Sequence, residues 1–195
     1  MNTRFTRYIP VLGASVALGI GGAGANALAH DHGGGHEGNH GHHGKRYSAW
    51  DKQWLQTSIE GDLFEIAGGK LAQDKGASDG VRSYGARLVA DHSKSLQDAT
   101  ALAQKLGIEV PKAPSPSMQW ELQTVAKFDG AQFDANYADL EAKDHQQDIS
   151  EAKDEVQDGR NPEIRHDAAQ EIPTLQEHLQ IAEQLGGRQG EDPLP

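Results

Sequence analysis

A chain of 195 residues with 29 acidic and 18 basic side chains carries a net charge of −11, and it has no cysteine. An acidic excess of that size disfavours nucleic acid and anionic lipid as partners. The missing thiols exclude a disulfide framework, thiolate metal ligands and a lipid attached through cysteine.

Residues 1–29 read as a signal peptide. Arg4 and Arg7 form its positive start and Ile9 to Ile20 its apolar stretch, while Ala25-Asn26-Ala27 and Ala27-Leu28-Ala29 are acceptable cleavage patterns. The stretch is short and glycine-rich for a bilayer span. No transmembrane segment is therefore expected after cleavage, and the expected location is the periplasm or cell envelope. Cleavage removes two basic residues and no acidic ones, which moves the net charge from −11 to −13.

Residues 30–47 form a histidine- and glycine-rich tract with the composition of a disordered segment. His30, His32, His36, His40, His42 and His43 are six of the ten histidines in the chain. Imidazole is the commonest protein ligand for divalent transition metals, and glycine lets a chain fold its donors around an ion. The tract thus points to capture of Cu, Ni or Zn. Cleavage after Ala29 makes His32 the third residue of the mature chain, and cleavage after Ala27 makes His30 the third. A free amine, two deprotonated amides and a third-position imidazole form the square-planar nitrogen set preferred by Cu(II) and Ni(II). A solvated linker without a metal role is the competing reading.

From Ser48 to Gly186 the pattern is helical, with no alternating strand segment. The first helix is expected from about Ala49 to Asp74, capped by Ser48, with Leu55, Ile59, Leu63 and Ile66 as its apolar stripe. Asp62 falls inside that arc. Glu65 lies on a flank shared with Ser58, Gly61, Gly69 and Ala72, small residues that admit a neighbouring helix. The second helix runs from Ser78-Asp79 to Gly107, with Val81, Leu88, His92, Leu96, Ala99, Ala103 and Leu106 on one face. Pro111, Pro114 and Pro116 mark a loop, and a short helix follows near Met118 to Lys127. The third long helix covers about Ala131 to Asp158, with a seam of Ala138, Ala142, His145, Ile149, Ala152 and Val156. The fourth opens with Asn161-Pro162, a cap followed by proline at the first helical position. Its seam is Ile164, Ala168, Glu171, Leu175, His178, Ala182 and Leu185. Pro173 lies inside it, Gly186-Gly187 should end it, and residues 187–195 read as a disordered tail. These elements predict an all-α, antiparallel four-helix bundle running up-down-up-down. A longer hairpin that completes its core as a homodimer is the alternative. Trp50, Trp54, Trp120, Phe133 and Tyr137 read as packing residues.

The buried polar positions fall at one level. His92, His145 and His178 each interrupt the seam of a different helix, on the order of 20–25 Å from its start, and Glu65 lies at a similar depth. Midpoints of bundled helices share a level, so these four should converge. Three imidazoles and a carboxylate suit Zn, Fe, Mn or Cu. Asp91, Glu141, Asp144, Asp148 and Glu171 lie within reach as alternative ligands or as partners that orient the ligands. Structural His–acid pairing between helices is the bland competitor, because the Asp-His dipeptide occurs at both Asp91-His92 and Asp144-His145. His166 faces away from the seam.

Several ordered motifs resemble a bacterial exported family known as domain of unknown function 4142. They are Val81-Arg82 through Asp91-His92-Ser93, Gly130-Ala131-Gln132-Phe133-Asp134 with Tyr137 and Asp144-His145, and Ile172-Pro173-Thr174-Leu175 with His178-Leu179. The resemblance spans about Ser48 to Leu185, with Glu65, Leu71 and Ala72 matching less tightly. It implies a ferritin-like four-helix bundle exported to the periplasm or outer envelope, and it implies no reaction. The Glu-x-x-His pair of carboxylate di-iron proteins is missing, since Val89, Ala142 and Leu175 precede the seam histidines by three. Glu163-Ile164-Arg165-His166 matches only off the seam. There is no phosphate loop, nucleophile elbow or cysteine nucleophile, so nothing here specifies an enzyme. The sequence reading is an exported metal-binding protein whose partners are metal ions, with room for an envelope protein partner. An envelope-stress or interaction scaffold with structural core histidines is the alternative.

Overall fold

The computed structural model describes residues 46–189. The expected signal peptide, the tract histidines and the residues from 190 onward lie outside the described residues.

The helices follow from their caps. Helix α1, Ala49–Lys75, begins with a reciprocal capping box between Ser48 and Asp51. Helix α2, Asp79–Leu106, is capped by Ser78 and ends where Gly107 turns into the left-handed region at φ 69°. Helix α3, Pro116–Val125, starts earlier than the prolines suggested, because Pro116 sits in its first turn, where no backbone donor is needed. Helix α4 spans Gly130–Asp158. Helix α5, Pro162–Gln189, is capped by Asn161, whose side-chain oxygen accepts from the amides of Glu163 and Ile164. It runs past Gly186 and Gly187 and continues through Pro173.

α1 packs along α2 and α4 along α5, and the two hairpins face each other through α1 with α4 and α2 with α5. Asp134, near the start of α4, accepts from the amides of Ala77 and Ser78 at 2.8 Å each, so α4 begins beside the α1–α2 turn. At the opposite end Asp51 accepts from the amides of Arg160 and Asn161, and Gln56 donates to the carbonyl of Glu109. Neighbouring helices are antiparallel, as expected, but α2 and α4 run in the same direction. The expected up-down-up-down order is thereby corrected. After α2 the chain travels the length of the bundle through α3 before α4 starts, and a short link cannot do that.

The core has two apolar ends. One gathers Val81, Leu88, Phe133, Tyr137 and Leu185, and the other Trp54, Leu55, Ile59, Ile108 and Ile164. The seams of α2, α4 and α5 are buried or partly buried as read from sequence. The α1 stripe is shifted: Leu63 and Ile66 are only partly buried, whereas Asp62 and Glu65 are buried. Trp50 and Trp120 are exposed at 49% and 64%, which corrects their assignment to packing. Among the described residues, no helix is long and apolar enough to cross a membrane.

Candidate metal centre

Between the two apolar ends lies a polar layer supplied by all four long helices. α1 gives Asp62 and Glu65, α2 gives Asp91 and His92, α4 gives Glu141 and His145, and α5 gives His178. Glu141 and His145 are four residues apart and share a helical face. Asp91 and His92 are adjacent and diverge, so His92 reaches α1 while Asp91 reaches α5. The approach of α1 to α2 is set by a glycine crossing. A Cβ on Gly69 would lie 2.5 Å from the carbonyl oxygen of Gly85, and one on Gly85 would lie 2.5 Å from that of Gly69. Only glycine at both positions permits this contact.

Each imidazole has one ring nitrogen committed to an acceptor. His92 Nδ1 donates to Asp62 Oδ1 at 2.8 Å, His178 Nε2 donates to Asp91 Oδ2 at 2.9 Å, and His145 Nδ1 donates to the carbonyl of Glu141 at 2.8 Å. These partners assign the tautomers and leave three lone pairs: Nε2 of His92, Nε2 of His145 and Nδ1 of His178. His145 Nε2 and His178 Nδ1 lie 3.3 Å apart, and His92 Nε2 is buried without any partner. The ring centroids are 5.2–5.9 Å apart, and one ligating atom from each imidazole falls within 4.8 Å of the others.

Burial keeps these rings neutral. It pulls His92 down to about 4 and His145 to about 3, the latter also through its histidine neighbours, and it lowers His178 as well. Asp91 is partly buried, but hydrogen bonds from His178 and Arg87 hold its carboxyl below the usual range. Burial raises Asp62 well above that range; ionised, or protonated on its unpartnered Oδ2, the carboxyl offers Oδ1 as an acceptor for His92.

Beside the imidazoles sits a pair of carboxyl groups with a different character. Glu65 and Glu141 are fully buried, and none of their four oxygens has a hydrogen-bond partner. Burial lifts Glu141 to about 8; it also raises Glu65, helped by the charge of Glu141. His145 Nδ1 is 3.9 Å from an oxygen of each, yet its proton is already given to the Glu141 carbonyl. The expected four-residue cluster is therefore corrected to two sets that share His145. One is the three histidines; the other is Glu65, Glu141 and His145.

Of the remaining expected partners or alternative ligands, Asp91 is bonded to His178 Nε2, and Asp144 is raised by its burial. Glu171 accepts from Ser58 and Ser95 and, with Asp148, lines a cavity next to the histidines. His166 is exposed. Sequence reasoning missed Asp62 as the partner of His92, although an acid inside an apolar arc was the available signal. The tract histidines His30, His32, His36, His40, His42 and His43 lie outside the described residues.

The family model described as domain of unknown function (DUF4142) matches residues 40–185. That match begins at His40 and so takes in the last three tract histidines, earlier than the Ser48 boundary expected from the motifs. No curated protein matches the chain. Among solved structures, the crystal structure of a DUF305 fragment from Deinococcus radiodurans is similar, with a TM-score of 0.65 at 15% identity. The similarity covers 73% of this chain and 98% of that one, and it supports the fold alone.

Proposed function

The chain belongs to the DUF4142 family, and for this member we propose an exported metal-binding protein that holds one divalent transition ion on His92, His145 and His178. The observation that carries the reading is the convergence of three imidazole lone pairs, two of them 3.3 Å apart with no proton left to place between them. A cation relieves that repulsion. Carboxylate or carbonyl partners on the far nitrogens are the usual means of orienting metal-ligating histidines. Three neutral imidazoles suit Zn, Cu, Fe or Ni, and with three protein ligands a further coordination position stays open. The fold is ferritin-like in having a single long crossover within a four-helix bundle. The histidine tract would serve as an outer capture segment for Cu, Ni or Zn, and the signal-like amino terminus supports a periplasmic or envelope setting. No reaction is assigned.

A second reading has support of its own. The Asp62–His92 and Asp91–His178 pairs are also the contacts of a structural polar core in an interaction scaffold. Elemental analysis separates the two. The full chain with its six tract histidines replaced by Asn is dialysed against a mild chelator. Near-stoichiometric metal that vanishes in His145→Gln and His178→Gln is expected. Variants that lose stability from a protein that never held metal would favour the scaffold.

A further inference from the structure

A cavity of about 210 Å³ adjoins the histidines. Exposed Lys94, Asp98 and Gln170 line its outer part, and buried Asp62, His92 and His178 its inner part. Resting on the metal reading above, we infer that this cavity is the loading vestibule of the histidine site, through which a hydrated divalent cation reaches His92 and His178 between α2 and α5.

Three observations carry this. The lining holds seven carboxyl groups against the single ammonium of Lys94. Burial raises Asp62, Asp148 and Glu171, but Asp91, Asp98, Glu151 and Asp167, the last raised only to about 6, still outnumber the cation. That balance concentrates cations and repels anions. The buried end presents unpartnered polar atoms, with His92 6% exposed and Asp62 4% exposed, each having one atom without a hydrogen bond. Finally, none of the compact ligand sets among the described residues includes Asp148, Asp167 or Glu171, so these acids do not converge on a bare ion. Carboxyls spread over a water-accessible volume attract an ion that keeps its hydration shell; the imidazoles replace that shell. Crowding is visible in the acids themselves, since burial and the charges of Asp62 and Asp167 push Glu171 up to about 8.

The consequence is a selective and exchangeable site. Hydrated cations enter, while anionic chelates and anionic small molecules are held back at the rim. Lys94 pairs with Asp98 at 2.6 Å, which removes the one positive charge from the path.

The test measures loading rate separately from affinity. Co(II) is mixed in stopped flow with the metal-free full chain carrying the six tract replacements, and its visible bands report capture by imidazole. At neutral pH the Glu151→Gln/Asp167→Asn variant, which removes two lining charges, should load about tenfold more slowly than the parent and with a flatter dependence on salt, since steering in an acidic cleft is worth at least that much. The equilibrium affinity should stay within about threefold, because a vestibule alters entry and exit alike. Asp139→Asn/Glu183→Gln removes the same charge from exposed positions outside the cavity and should load as the parent does. Equal loading rates and salt slopes in both double variants would overturn the vestibule while leaving the histidine site standing. Failure of the parent to bind Co(II) at all would remove the histidine site and the vestibule with it.

Discussion

The apolar ends of the bundle and the polar layer between them treat buried surface in opposite ways. At the ends, Phe133 stacks on Tyr137 at 5.6 Å and Leu55, Ile59 and Ile164 are fully enclosed, so close packing alone stabilises the contact. In the middle, Asp62, Glu65, Glu141 and three imidazoles occupy positions that methyl groups would fill at lower cost. Some of those groups satisfy one another; Glu65, Glu141 and His92 Nε2 do not. The difference locates stability at the ends and chemistry in the middle.

The contrast breaks most readily at the ends. Phe133→Ala should cost about 3–5 kcal/mol in denaturant unfolding and leave metal content unchanged; a smaller loss than any polar-layer variant gives would reverse the assignment. The Glu65→Met/Glu141→Met pair should act in the other direction and raise the stability of metal-free protein by about 1–3 kcal/mol, because four unpartnered oxygens leave the core. A destabilised double variant would mean that the carboxyls contribute to the fold.

Acidity sharpens the same comparison. The carboxyls of Glu141 and Glu171 stay protonated to about pH 8 in the folded chain, against 4.5 unfolded, so the stability they contribute is lost as pH rises through that interval. The imidazoles work oppositely, since His92 and His145 titrate near 4 and 3 when folded against 6.5 unfolded, and their contribution is lost as pH falls below 6.5. From pH 6.5 to 8 the carboxyl effect dominates. Metal-free melting temperature should drop by on the order of a few degrees across that window, and Glu171→Gln should lessen the drop. A flat profile would place those carboxyls in water. The smallest effect belongs to an end: Gly186→Ala, with only the Ala138 methyl nearby at 3.9 Å, should add about 0.5–1 kcal/mol by chemical denaturation.

Helix positions were legible because caps and seams are local. Ser48, Ser78 and Asn161 start their helices for reasons written within four residues. The level of the histidines was legible for another reason: mid-helix depth is unchanged by reversing a helix, so the wrong bundle order still placed His92, His145 and His178 together. The order itself was hidden, because the proline-rich stretch between α2 and α4 does not state toward which end the chain returns. The pairing of Asp62 with His92 depends on how α1 is rotated against α2, and that is set by the contact of Gly69 with Gly85. Gly186 and Gly187 do not end α5, since neither takes the left-handed turn by which Gly107 ends α2 at φ 69°.

The two hairpins divide the histidine site between them. Each closes over a three-residue turn, Gly76–Ser78 or Gly159–Asn161, so the contacts within it are local in sequence. His92 belongs to the first hairpin, His145 and His178 to the second. The three imidazoles therefore meet only where the two hairpins dock. An ion on that site would clamp one hairpin to the other and retard the parting of the two halves.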